Sequence, residues 1–310
     1  MLFWKEFWDN KSSRNIYKKT LLLLKLLLKM KKFIALFSFI LTLFVVFSCE
    51  PNRAENGDYL FGVQNPNETG GGTGGGSTTG RLLKKMINHS MDDNGEFEDG
   101  VITYNYDGKK LISYVDDSGE ATLFSYNSNN KISKLSSTGQ NATFTYSGDN
   151  LSKINTTVAG IYTVNTDFTY EGTQLKKAVS IQEITIPIPG KFYIETDYEY
   201  SGSNMVQATI KGGFYLPNGD LEMNPEVQTI TFQYDGKKNP YQLLPKEFFI
   251  YLSGIAPQGA AFLSANNMTK VTQTIDGISE VTDYTYTYDS ENYPTKMNGA
   301  DEEYTLYEYQ

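Results

Sequence analysis

From residue 81 onward, apolar and polar positions alternate in copies of one short pattern. Each copy reads aromatic, any residue, Tyr, a two-residue turn signal, then a polar pair and an apolar residue. Tyr104-Asn105-Tyr106-Asp107-Gly108 runs to Leu111, Phe124-Ser125-Tyr126-Asn127-Ser128 to Ile132, and Phe144-Thr145-Tyr146-Ser147-Gly148 to Leu151. Phe168-Thr169-Tyr170-Glu171-Gly172 runs to Leu175, Tyr198-Glu199-Tyr200-Ser201-Gly202 to Met205, and Phe232-Gln233-Tyr234-Asp235-Gly236 to Tyr241. Tyr286-Thr287-Tyr288-Asp289-Ser290 runs to Tyr293, and Tyr307-Glu308-Tyr309 is a half copy.

Aromatics at i and i+2 share one face of a strand. Asp-Gly, Ser-Gly and Glu-Gly permit the positive φ of tight hairpins, and the apolar residue after the turn starts the return strand. Each copy therefore predicts a β-hairpin with one aromatic face. Asp117-Ser118-Gly119, Ser137-Thr138-Gly139 and Asp276-Gly277 join the copies by further turns. The sum is an antiparallel meander of roughly fourteen strands.

The second Tyr of successive copies recurs after 20, 20 and 24 residues, then after 30, 34 and 54, then after 21. The widening predicts longer strands and inserts. Ile181 to Ile194 reads as long strands around Pro187-Ile188-Pro189-Gly190, where Pro marks an edge or bend. Leu243 to Met268 is apolar and not β-like. Pro245 to Leu252 predicts a short helix with Pro245 in its first turn, and the insert reads as a cap or plug over an open end of the sheet. The predicted fold is all-β: a large curled antiparallel meander of repeated hairpins, barrel-like and partly open, with one short helical insert near 243–268.

The N-terminal segment obeys a different pattern. Met30-Lys31-Lys32 precedes fifteen almost entirely apolar residues, Phe33 to Phe47, and then Ser48-Cys49. This is the basic, apolar and small-residue order of an export signal. The run is shorter than the roughly 20 apolar residues of a spanning helix. Lys25, Lys29, Lys31 and Lys32 interrupt any extension through Leu21–Leu28. Val46-Phe47-Ser48-Cys49 resembles the lipobox of bacterial lipoproteins, with Phe47 bulkier than usual. That resemblance implies lipid attachment at Cys49 and cleavage before it. Residues 1–29 read as an upstream extension, with Met30 the alternative start. Residues 49–80 include Asn-Pro-Asn-Glu-Thr-Gly-Gly-Gly-Thr-Gly-Gly-Gly-Ser-Thr-Thr-Gly at 65–80, a flexible tether. A phosphate-cradling loop is excluded, since no Lys-Ser/Thr pair follows at the required spacing. The organisation is therefore 1–48 extension and signal peptide, 49–80 tether, 81–310 hairpin domain.

Charge sharpens that division. Residues 1–48 hold nine Lys/Arg against two Asp/Glu, so the rest of a chain of net charge −9 carries −16. Both tryptophans, Trp4 and Trp8, precede Cys49. An acidic product opposes nucleic acid and anionic lipid surfaces. One Cys and one His exclude internal disulfides and two-His metal sites by counting, and lipid attachment at Cys49 would leave no thiol for a Cys-His dyad.

Tyr104–Leu111 and Phe144–Leu151 resemble the YD repeats of Rhs-type proteins. The hairpin copies, Tyr234-Asp235-Gly236-Lys237-Lys238-Asn239-Pro240-Tyr241, the apolar insert, Asn266-Asn267-Met268-Thr269-Lys270 and the Tyr288-to-Lys296 hairpin are together similar to a Bacteroidota lipoprotein family of porin-like fold. The resemblance covers about residues 81–310. It implies a curled sheet in a cell-envelope lipoprotein and implies no activity. A membrane-spanning barrel needs an outward apolar band, whereas strands such as Thr103-Tyr104-Asn105-Tyr106 have one polar face.

No residue is assigned a catalytic, metal or cofactor role. His89, in Ile87-Asn88-His89-Ser90, reads as a surface or hairpin histidine. Asp92-Asp93-Asn94-Gly95-Glu96-Phe97-Glu98-Asp99 is oxygen-rich but lacks the spacing of a calcium loop; it reads as a solvated turn, as does Asp116-Asp117-Ser118-Gly119-Glu120. The 34 acidic residues after Cys49 leave a carboxylate-pair hydrolase open by number alone. The expected function is a non-enzymatic outer-membrane lipoprotein that binds a glycan or envelope protein, Tyr and Phe rings being suited to stack on sugars or pack on partners. The alternatives are a scaffold with no small ligand and, third, the hydrolase.

Overall fold

The computed structural model describes residues 80–310 apart from 92–95, 159–160, 186–188, 256 and 301, together with the backbone alone of 255, 257 and 258. The expected signal peptide, Cys49, the expected tether up to residue 79, Asp92–Gly95 and Pro187-Ile188 lie outside the described residues. The strands are β1 (Leu83–Met91), β2 (Phe97–Asp107), β3 (Lys110–Val115), β4 (Ala121–Tyr126), β5 (Ile132–Ser137), β6 (Gln140–Ser147), β7 (Asn150–Val158), β8 (Tyr162–Glu171) and β9 (Gln174–Ile184). They continue with β10 (Gly190–Ser201), β11 (Asn204–Tyr215), β12 (Leu221–Lys238), β13 (Asn266–Ile275), β14 (Ile278–Asp283), β15 (Thr285–Tyr288), β16 (Pro294–Asn298) and β17 (Tyr304–Tyr309). Among the described residues one α-helix, α1 (Lys246–Ile255), lies between β12 and β13, flanked by 3-10 turns at Pro240–Leu243 and Pro257–Leu263.

All paired strands are antiparallel, and neighbours in sequence pair from β1 through β14. The sheet then returns on itself, β15 to β16, β16 to β17, and β17 to β1. Between β14 and β15 only Tyr284 intervenes, and its N–H bonds Thr269 O of β13 at 2.8 Å. The result is a nearly closed barrel-like sheet, as the repeat predicts. It has seventeen strands rather than about fourteen, because β1, β14 and β17 lie outside the seven full copies.

Each copy folds as its residues dictate. Gly108, Gly148, Gly172 and Gly202 occupy the same turn position with φ of 60°, 59°, 61° and 60°. A Cβ at Gly148 would meet nothing within 4 Å. Gly148→Ala therefore carries only the left-handed backbone penalty, and is expected to cost about 1–2 kcal/mol in urea denaturation.

One feature of the unit is invisible to a period-two reading. Each of the first five return strands carries a bulge one residue after its first paired apolar residue. Register slips between Asn105 and Tyr106, Ser125 and Tyr126, Thr145 and Tyr146, Thr169 and Tyr170, and Glu199 and Tyr200. Ile112, Ser133, Ser152, Lys176 and Val206 are the extra residues. Bulges bend a strand and raise its twist, so one per hairpin supplies curvature that a flat meander lacks.

The first aromatic of the first six copies and of the half copy faces the lumen: Tyr104, Phe124, Phe144, Phe168, Tyr198, Phe232 and Tyr307 are all buried, while Tyr286 of the seventh copy is half-buried. The sixth copy departs from the pattern. After Tyr234 the chain does not turn back at Tyr241; it enters the lumen as the insert, and Met268 on β13 takes the place opposite Tyr234. The expected cap is thus an internal plug. Phe248 on α1 packs on Phe124 of β4 (ring centroids 5.6 Å apart) and Tyr114 of β3 (5.7 Å). Tyr251 meets Phe144 of β6 at 6.1 Å, and Tyr241 meets Tyr307 of β17 at 6.2 Å. Ser180 of β9 donates to Gly254 O at 3.2 Å. Contacts to strands all around the sheet place the insert inside it.

Asparagines fix both ends of the plug. Buried Asn239 donates to Ser264 O (2.7 Å) and Phe262 O (3.1 Å) and accepts from Tyr241 N–H (2.9 Å). Asn266 bonds Asn204 and Lys237 O, and Asn267 donates to Asp235 from its backbone and side chain.

The outer face is the reverse of the lumen. Mid-strand positions carry ion pairs: Lys153 with Asp167, Lys270 with Asp283, and Lys177 and Lys211 each with both Glu195 and Asp197. Asn155 and Asn165 bond across β7 and β8 at 2.8 Å.

Candidate functional site

The turn end of the sheet carries a row of tyrosines, the second aromatic of each copy. Between hairpins the backbone ladder stops short of this rim. Pairing of β3 with β4 ends at Ser113↔Leu123, and pairing of β7 with β8 at Lys153↔Asp167. The tyrosine hydroxyl bridges the gap. Tyr106 donates to Leu83 O at 2.7 Å, Tyr126 to Leu111 O at 2.6 Å, and Tyr146 to Ile132 O at 2.7 Å. Tyr309 donates to Pro294 O at 2.7 Å, and Tyr286, a first aromatic, to Met268 O at 2.7 Å. In four copies the acceptor is the return-strand apolar residue of the preceding hairpin, or its equivalent on β1.

The series stops at Tyr170 and does not resume until Tyr309: Tyr234 instead accepts from Ser264 Oγ at 2.9 Å, and Tyr288 donates to Asp235. The Tyr170 hydroxyl is buried and has no hydrogen-bond partner. Where the series stops, a cavity of about 330 Å³ opens between the wall and the plug. Leu151, the residue that the series would have offered as acceptor, lines it, as do Tyr170, Leu175 and the next rim tyrosine, Tyr200. From the plug come Tyr241, Leu244, Phe249 and Ile250. The volume is at the lower end of small-ligand sites, roughly 300–1,000 Å³.

Polar groups converge on the same space. Asn150 spends an amide hydrogen on Gly172 O (3.2 Å), Gln174 on Gly202 O (2.7 Å), and Gln242 on Phe262 O (3.3 Å) and Ser264 O (3.1 Å). Their side-chain carbonyls remain as acceptors. Lys246 is the one charged lining residue, and no carboxylate lines the cavity. Burial, with the Glu247 carboxylate and Tyr200 beyond it, pushes the Tyr170 hydroxyl above the usual phenol range, so it is neutral at every physiological pH.

The sequence singled out other positions, and the structure places them apart from this cavity. His89 stands on the outer side of β1, stacked between Phe97 (4.9 Å, 6° between planes) and Tyr304 (4.6 Å, 15°). Its Nδ1 is 2.7 Å from Asp99 Oδ1. It is a surface histidine in an aromatic stack. Asp116 Oδ1 accepts from Ser118 Oγ (2.6 Å) and Glu120 N–H (3.0 Å), which makes the 116–120 run a turn. Among the described residues no three His, Cys, Asp or Glu side chains gather as metal ligands would. The cavity itself was not legible: Tyr170 looks like every other copy until its missing bond is seen.

No protein-family model matches the chain, and no curated protein matches it. Among solved structures the chain is similar to a porin-like protein from Bacteroides vulgatus ATCC 8482, with 14% identity, a TM-score of 0.48, and coverage of 74% of this chain and 98% of that one. It is also similar to a porin-like protein from Bacteroides uniformis ATCC 8492, with 14% identity, a TM-score of 0.49, and coverage of 74% and 96%.

Proposed function

We propose that this protein is a non-enzymatic binding protein of the cell envelope, held to the outer membrane by an acyl anchor on Cys49 and a tether over residues 49–80. The observation that carries the binding reading is the rim cavity, which has the size and convergent polar groups of a ligand site but no carboxylate. Without a carboxylate pair in it, glycoside hydrolysis has no acid and base there. Its ligand is a glycan or a segment of another envelope protein.

The filled lumen and the ion-paired exterior support a water-exposed sheet over spanning strands. A spanning barrel presents an apolar band to lipid, and charges at mid-strand would sit in hydrocarbon. One observation favours a scaffold with no small ligand: nearly all the lumenal aromatics are covered by one another and by the plug.

Two measurements test the reading. The mass of the mature N-terminus should report an acylated Cys49, and Cys49→Ser should release most of the protein from the membrane fraction. An intact Met1 or Met30 end would sink the anchor. Cross-linking in intact cells, followed by isolation of the tagged full chain, should recover a glycan or a specific envelope protein. Recovery of neither would favour the scaffold.

A further inference from the structure

We infer that the rim cavity is a site for lysine side chains of another envelope protein, which enter two slots that lysines of this chain fill in the preceding copies. This rests on the binding reading above and chooses the protein segment over the glycan. The residue just before each apolar return carries the argument. In the first two copies it is Lys110 and Lys131. Each reaches over the ring of the next rim tyrosine, Lys110 Nζ 4.2 Å from the centroid of Tyr126 and Lys131 Nζ 5.2 Å from that of Tyr146. Each also donates to the next turn, Lys110 to Asn130 Oδ1 (3.4 Å) and Lys131 to Gly148 O (3.1 Å). In the third and fourth copies the same position holds Asn150 and Gln174. They keep the bond to the next turn, at Gly172 O and Gly202 O, but they are shorter and neutral. Among the described residues no Lys or Arg stands over Tyr170 or Tyr200. The cavity coincides with this change: Asn150 with Tyr170, and Gln174 with Tyr200, are two pairs in its lining. Tyr106 and Tyr234 also lack a cation, but neither ring lines the cavity.

What the two open slots suit follows from what fills the others. An ammonium is attracted to the negative face of a tyrosine ring. Its hydrogens suit the side-chain carbonyls of Asn150 and Gln174, and the methylenes behind it suit Leu151, Leu175 and Phe249. The surrounding charge agrees. Glu247 on α1 lies within electrostatic reach of the hydroxyls of Tyr126, Tyr146 and Tyr170, so a carboxylate stands behind the slots. Residues 49–310 carry −16, the −9 of the chain less the +7 of residues 1–48. Lys246, the one lining cation, is exposed and interacts with Asp149 at the rim. A neutral sugar leaves both ring faces without the charge that Lys110 and Lys131 bring to theirs. The slots belong to neighbouring hairpins, two strand spacings or roughly 10 Å apart, so one segment with two lysines engages both.

Isothermal titration of the full mature protein with the blocked peptide acetyl-Ala-Lys-Pro-Pro-Lys-Ala-amide tests this. Its polyproline geometry sets the lysines about 9 Å apart on one side. The same peptide with both lysines acetylated, and free 1,5-diaminopentane, are the comparisons. The peptide should bind, and acetylation should weaken it by roughly tenfold or more. The double variant Asn150→Lys with Gln174→Lys fills both slots from within. It should weaken the peptide to a similar degree, and in free form it should melt at the same temperature as the parent protein or higher. Peptide binding untouched by that variant would overturn the site while leaving the binding reading standing. A variant that melts about 5 °C lower or more would show that the slots are not shaped for lysine. Binding that survives acetylation, or no binding of the peptide, would overturn the ligand class, and the cross-linking result then judges the binding reading separately. Diaminopentane binding as tightly as the peptide would make the ligand a small free amine and overturn the protein partner.

Discussion

Phe249→Ala is expected to destabilise the folded domain by about 4 kcal/mol, the usual cost of truncating a buried phenylalanine to alanine. Phe249 is 3% exposed and sits at the centre of the plug. Its ring packs on Phe248 (5.5 Å), Tyr241 (5.5 Å) and Phe262 (5.8 Å). These neighbours reach the wall through Phe124, Tyr114 and Tyr307, so the void cannot be closed by moving one side chain. A small domain moves a strand or helix into such a void; here the wall is a ring of paired strands and cannot collapse inward without breaking pairs. The full cost of the cavity is therefore expected, with no discount for collapse around it. Leu123→Ala is the comparison. Leu123 is 51% exposed on the outer face of β4, and its loss should change stability by no more than about 0.5 kcal/mol. Urea denaturation of both variants measures the contrast. Equal effects would mean that the insert does not occupy the lumen.

That contrast marks what the sequence could and could not say. The hairpins were legible because each carries its own signal: two aromatics on one face, a turn signal, which in four copies is a glycine with φ near 60°, and an apolar return. Those are local rules, and they held in every full copy but the sixth. The insert was legible as an interruption, from its 54-residue gap and its non-alternating apolar run. Its position was not, since nothing local says which side of a sheet an apolar segment will take. The inward choice follows from burial: in the lumen the insert's apolar residues share one buried cluster with the strand aromatics. Asn239 and Asn266-Asn267 stood out as motif pieces and proved to be the joints of the plug. The bulges were invisible because one extra residue per hairpin leaves the composition of the unit unchanged. The rim cavity was invisible for a related reason. It is defined by a bond that Tyr146 makes and Tyr170 does not, and both residues sit in the same sequence pattern.

The tyrosines also fix how the protein responds to alkali. Burial pushes the hydroxyls of Tyr106, Tyr126, Tyr146, Tyr170 and Tyr200 well above the usual phenol range, and that of Tyr234 up to about 12. Tyr104 and Tyr307, deeper in the lumen, are raised further, first by burial and then by Tyr241. In an unfolded chain a tyrosine ionises near 10. Below that pH both states are protonated and these groups leave stability unchanged. Above it the unfolded chain releases protons that the folded protein retains, so stability falls with every further rise in pH. Many tyrosines act together, so the loss is steep: melting temperature should hold level through neutral pH and collapse between about 10 and 12. The paired lysines lose charge in the same window, Lys177 and Lys211 being raised by their bonds to Asp197 and Glu195. Those pairs are open to solvent and contribute little each, so the tyrosines dominate. Tyrosinate absorbance and circular dichroism, followed together against pH, should change in one cooperative step. A gradual tyrosinate rise centred near 10 with the β signal intact would mean that water reaches the rim and lumen hydroxyls, and that the plug does not seal the sheet.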